Sequence, residues 1–242
     1  MTSRDTETKV SSFPTSRKIL EVIVKSREEA MEAERGGANR LEIASSLEDG
    51  GLTPEIEIVR EIAAAVSIPV RVMLRERDAM SIVSEEELRR LQSAARALAA
   101  LPIEGLVLGF VKDSVIDTDS LGKILSAAPR CSVTFHRAFE SVSCPLASLQ
   151  LLKQFRRIDR VLVRLNGDSG TPRISDLVQW QKLAAPEITL VVGLGLNREN
   201  ISRLREADNL SEIHVGRFPR EPEETWGRLS RNKLIALKSA LG

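Results

Sequence analysis

Cysteine is scarce: the 242-residue chain holds two, Cys131 and Cys144, without the C-x-x-C spacing of many zinc and redox sites. They read as reduced, structurally incidental thiols. Surplus charge is missing as well, since 35 basic side chains stand against 34 acidic ones. That balance builds no large field to gather phosphate backbones or anionic lipid, so neither nucleic acid nor a membrane is an expected partner. No apolar run reaches the roughly 18 residues that span a bilayer, and Met1–Lys9 is polar and charged, without the apolar core of a signal peptide. A cytosolic protein is the expectation. Histidine is limited to His136 and His214.

What is present suits one core of ordinary size, with 42% hydrophobic and 29% charged residues. Residues 1–17 are rich in Ser, Thr and charge and are expected to form a flexible tail ahead of one domain over 18–242. From Lys18 onward, short β-branched runs alternate with stretches of helical period, the signature of successive βαβ units. Eight strands are expected: 19–24, 40–44, 70–75, 105–109, 132–136, 160–164, 189–193 and 212–216. Helical stretches at 26–35, 54–66, 84–99, 119–127 and 197–207 carry apolar residues three and four apart. Thr53-Pro54 and Ser84 with Glu87 are start signals, and Gly36-Gly37 is a stop. Eight such units predict an α/β fold, a (β/α)8 TIM-type parallel barrel, with a doubly wound sheet as the runner-up.

Side chains alternate between barrel interior and helix-facing side, so parity along each strand detects a site. The charged parity includes Glu21 in the first strand, Arg40 and Glu42 in the second, Arg71 and Arg75 in the third, His136 in the fifth, and Glu212 with His214 in the eighth. Burying these ions costs several kcal/mol each unless they are paired, so they form either a compensated ionic layer or a site. Glu21 and Glu42 are the expected counter-ions of Arg71 and Arg75. His136, Arg75 and Glu42 are candidate catalytic groups, the first two because they sit at strand C-termini, where β/α barrels carry reactive groups. Gly193, Gly195 and Gly216, in turns after the last two strands, are candidate anion binders with Arg137, since glycine lets backbone N–H groups approach an anion. Tight turns explain the same glycines, and strand alternation points Arg137 away from His136.

Arg40-Leu41-Glu42-Ile43, the 49–54 run Asp-Gly-Gly-Leu-Thr-Pro and the 133–140 run Val-Thr-Phe-His-Arg-Ala-Phe-Glu together resemble the CutC family of copper homeostasis proteins. Glu34 to Arg40, Arg75 with Arg77, and Glu212-Ile213-His214 extend the likeness from about Ile19 through His214. The resemblance implies a cytosolic barrel that forms homo-oligomers, is linked to copper tolerance and binds copper, with no assigned reaction. Its mouth cluster falls on Glu21, Glu42, Arg75, His136, Arg137 and His214. Cysteines of many members correspond here to Ile23 and Ala44, which ligate no metal, so Glu21, His136 and His214 are the candidate metal ligands. Imidazole and carboxylate suit Cu(II) or Zn better than Cu(I). The loops 75–81, 163–165 and 193–195 also depart from the family pattern. Three functions follow as expectations: a copper-binding homeostasis protein, a barrel enzyme acting on a small anionic metabolite, phosphorylated ones included, or a diverged inert barrel.

Overall fold

A computed structural model describes residues 18–165, 172–193 and 198–242, in which eight parallel strands close into a barrel. They are β1 (Ile19–Val24), β2 (Arg40–Ile43), β3 (Val70–Met73), β4 (Gly105–Leu108), β5 (Ser132–Phe135), β6 (Ile158–Arg164), β7 (Thr189–Gly193) and β8 (Glu212–Val215). Each pairs with its neighbours in sequence, and β1 pairs with β8 to shut the ring. The helices are α1 (Arg27–Arg35), α2 (Ile56–Ala65), α3 (Glu85–Ala99), α4 (Thr118–Ala127), α5 (Pro145–Leu152), α6 (Ile174–Ala184), α7 (Arg198–Glu206) and α8 (Arg231–Leu241). The barrel expectation therefore holds, and ring closure rules out the doubly wound sheet, which has two edges. The tail over 1–17 and the turn containing Gly195 lie outside the described residues.

The strands are buried on both faces, and the two faces differ. The helix-facing parity is apolar throughout, with Leu20, Val22 and Val24 in β1, Leu41 and Ile43 in β2, and Leu190 and Val192 in β7 all in the main core. The axis-facing parity keeps a small apolar cluster, Ala44, Met73 and Val107, touched by Ile23 and Leu47, and a level pair, Leu162 and Val191, on β6 and β7. Beside these the axis carries the buried charged and polar side chains, and this asymmetry is what the parity of the sequence encodes.

The local signals act as their chemistry requires, with one exception. Ser84 accepts the Glu87 N–H and caps α3, whose Leu88, Leu91, Ala95 and Leu98 form one buried stripe. Burying a leucine contributes about 1.5–3 kcal/mol, so Leu91→Ala would loosen this stripe most directly. Thr53 was the expected cap of α2, but that helix begins two residues later, after Glu55. The Thr53 hydroxyl instead accepts the Arg75 N–H and donates to the Arg75 carbonyl, which also takes the Thr53 N–H, so Thr53 serves the backbone just past the end of β3. Strands β2 to β5 and β8 stop one or two residues earlier than expected. Their pairing fades gradually: Ala44, Leu74 and His136 still donate to the Val24, Val107 and Leu108 carbonyls.

Candidate functional site

The polar axis is built in two layers. Toward the strand starts, Arg71 is fully buried. It donates through Nε to Glu104 at 2.7 Å, through Nη1 and Nη2 to Asp159 at 2.7 Å each, and to the Thr134 hydroxyl at 2.9 Å. Arg160 bridges Asp159 and Glu212, and Arg40 bridges Glu212 and Glu21. Burial opposes the charge on Arg40 and Arg71, but their carboxylate partners outweigh it and raise both guanidinium pKa values. This is a compensated ionic layer that plugs the lower barrel. The expected pairing of Glu21 and Glu42 with Arg71 and Arg75 does not occur. The register sets Glu21 level with Arg40, while the long Arg71 side chain reaches Glu104 and Asp159. Glu104 and Asp159 escaped the sequence reading because they lie just before β4 and near the start of β6, where parity is not yet established.

Above that layer sit Glu21, Glu42 and His214, each at most 3% exposed. Glu21 is level with His214 across the β1–β8 pair, and its Oε1 accepts from His214 Nδ1 at 2.8 Å. Burial alone would raise the Glu21 pKa, but Arg40 and His214 outweigh it and hold the carboxyl well below its usual range. Burial likewise disfavours the charged His214 ring, yet Glu21 and Glu42 raise its pKa. Glu42 is different. Burial, reinforced by the Glu21 charge and opposed by His214, pushes its carboxyl up to about 7. Its Oε2 lies 3.8 Å from His214 Nδ1 and has no hydrogen-bond partner among the described residues.

Glu42 and His214 form part of the floor of a cavity of about 590 Å3 at the C-terminal end of the strands, where β/α barrels place their sites. Arg137, Arg164 and Gly216 line it; Arg75, His136 and Gly193 do not. Arg75 is turned into the β2–α2 loop, where it donates to the Asp49, Gly50 and Gly51 carbonyls and pairs with Asp78. Asp78 in turn accepts from Arg137 at 2.9 Å. Gly50 is required there: its φ is +74°, and a Cβ would fall 2.2 Å from Arg137 Nη2. His136 is buried against Gly109, and its Nδ1 accepts the Ala138 N–H. Burial and then the Arg75 and Arg137 charges lower its pKa to about 3, so at neutral pH it is an uncharged ring. Gly193 packs on the His214 ring, where a Cβ would fall 3.1 Å from the imidazole Cδ2. Of the expected residues, then, the fold brings Glu21, Glu42 and His214 together and sets Arg137 and Gly216 on the same cavity, apart from His136 and Arg75. Glu21, Glu42 and His214 are the group whose ligand atoms all lie within 4.8 Å of one another.

The family model described as the CutC family matches residues 18–218. The chain belongs to the CutC family. Among CutC relatives, the copper homeostasis protein cutC homolog of Homo sapiens is 32% identical over 227 residues, covering 92% of this chain and 81% of its own. A CutC family protein of Mesorhizobium japonicum is 32% identical over 200 residues, covering 81% of this chain and 76% of its own. The crystal structure of a CutC protein from Streptococcus agalactiae superposes with a TM-score of 0.74 at 23% identity, covering 81% of this chain and 97% of that one. A thiamine phosphate pyrophosphorylase from Pyrococcus furiosus, at 14% identity and a TM-score of 0.59, shares the fold alone; it covers 94% of this chain and 96% of that one. Ile23 and Ala44, the positions of the expected CutC cysteines, both face the cavity, so the cavity carries no thiolate there. Among the described residues no helix is long and apolar enough to cross a membrane.

Proposed function

We propose that this CutC protein binds one copper ion, as Cu(II), at the floor of the barrel mouth through Glu21, Glu42 and His214. The observation that carries this reading is the buried Glu42 Oε2, left without a partner in reach of His214 and Glu21. Buried polar atoms are nearly always paired, and an unpaired one calls for a missing partner. Donors bound to one ion at about 2.0–2.1 Å lie about 3 Å apart. The His214 separations of 2.8 Å from Glu21 and 3.8 Å from Glu42 need little adjustment to meet that spacing. One imidazole with two carboxylates favours Cu(II), ahead of Zn in the affinity series, over thiolate-seeking Cu(I). Arg40 holds the other Glu21 oxygen and so orients Oε1 toward the site. A cytosolic location and homo-oligomeric assembly rest on the family resemblance alone and belong to the same reading.

The test is calorimetric titration of untagged, metal-free protein with Cu(II) and with Zn(II). One equivalent of Cu(II) per chain is expected, bound at least about tenfold more tightly than Zn(II), with proton release as His214 surrenders its proton. Glu42→Gln and His214→Gln should each weaken Cu(II) by about tenfold or more while retaining a cooperative melt. No saturable uptake well above micromolar concentration, or binding unchanged in both folded variants, contradicts the proposal.

A further inference from the structure

The cavity above the floor has a second unexplained feature in its wall. Arg137 and Arg164 line the same space, and the Nε of each is buried without a hydrogen-bond partner among the described residues. Arg164 Nε lies 3.2 Å from Glu140 Oε2, but not in line for a hydrogen bond, so the ion pair balances charge and leaves the donor unused. Arg137 is fixed through Nη2 by Asp78 and packed on Gly50, which leaves its Nε unengaged. Arg137 gives only Nη2 to a protein carboxylate and Arg164 makes one ion pair, so both guanidinium groups that line the cavity keep N–H groups for an acceptor placed there.

We infer that the cavity binds a small monocarboxylate carrying a hydroxyl or amino group, its carboxylate held by Arg137 and Arg164 and its second polar group turned to Glu42. The volume of about 590 Å3 lies within the range of small-molecule sites. Guanidinium groups match planar carboxylates geometrically as well as by charge. The charge sum of the lining selects against a dianion: three arginines and His214 share the cavity with five carboxylates, Glu42, Asp78 and Glu223 among them. A phosphate ester would meet that excess with two charges where a carboxylate meets it with one. The lining also includes the apolar side chains of Ile23, Ala44, Val215 and Phe218, which suit a short carbon body. The inference uses no copper, so it is tested on metal-free protein and stands or falls separately from the metal reading.

L-lactate, L-alanine and L-serine are titrated into the metal-free full chain by calorimetry at constant ionic strength, beside inorganic phosphate and sodium chloride. At least one of the three should bind saturably below about 10 mM. Arg137→Gln and Arg164→Gln should each weaken it by about tenfold or more, the value of one charged hydrogen bond. Should either glutamine variant fail to fold, Arg137→Lys and Arg164→Lys keep the charge, remove the planar guanidinium fork and should show the same loss. No saturable carboxylate up to about 50 mM, undiminished binding in the folded variants, or phosphate bound more tightly than every carboxylate overturns the proposal.

Discussion

Replacing His136 by asparagine should remove an acid-induced loss of stability of about 2 kcal/mol, an amount set by the buried, uncharged state of the ring. His136 is 1% exposed and its folded pKa is lowered to about 3 by burial and by the Arg75 and Arg137 charges. The unfolded chain titrates near 6.5. Below that value the unfolded state binds the proton and the native state does not, so stability falls as pH drops and the loss stops only below about 3. Integrated from about pH 7 to about pH 5, this single group costs about 2 kcal/mol, or about 4–8 °C in Tm for a chain of this size. Glu42 acts oppositely. Its carboxyl, raised to about 7, takes up a proton more readily in the native state, so it adds stability as pH falls through 7. Wild type alone therefore shows a muted slope, and the difference between wild type and His136→Asn isolates the ring. Asparagine keeps an acceptor for the Ala138 N–H, so its packing cost should be independent of pH. The assay is urea unfolding of both proteins across this range. A wild-type-minus-variant difference that stays constant with pH would refute the placement of His136 as a neutral core group.

Two further outcomes follow from the polar axis. Arg71→Met should cost about 3 kcal/mol in urea unfolding, the low end for breaking a buried ion cluster, because Glu104 and Asp159 are about one-third exposed and rehydrate; a loss below about 1 kcal/mol would contradict its plugging role. Arg75→Met releases the Asp49, Gly50 and Gly51 carbonyls, so amide exchange at Gly50 and Gly51 should quicken by about tenfold or more, whereas unchanged protection would show that the loop holds without the clasp.

The fold was legible because two periods in the sequence carry it. Alternation of β-branched runs with helical stretches predicts the eight strands, and parity within each strand predicts a polar axis containing Glu21, Arg40, Glu42, Arg71, Glu212 and His214. Partners were not legible, since they depend on register and side-chain reach. Glu21 meets Arg40 and His214 because β1 lies level with both neighbours, and no local signal states that. Arg75 and His136 show a second limit. Position at a strand end predicts a site, yet the unpaired carbonyls of 49–51 and the N–H of Ala138 claim both side chains. Arg164 was noted only as a change of loop composition, although it lies at the end of β6 and faces the cavity.

The most direct measurement is a crystal structure of the metal-free protein soaked with Cu(II), with diffraction data collected on both sides of the copper absorption edge. One anomalous peak is expected within bonding distance of Glu21 Oε1, Glu42 Oε2 and His214 Nδ1. A map with no peak there at saturating copper, or with its only peak at another part of the chain, would contradict the assignment of the barrel floor as the copper site.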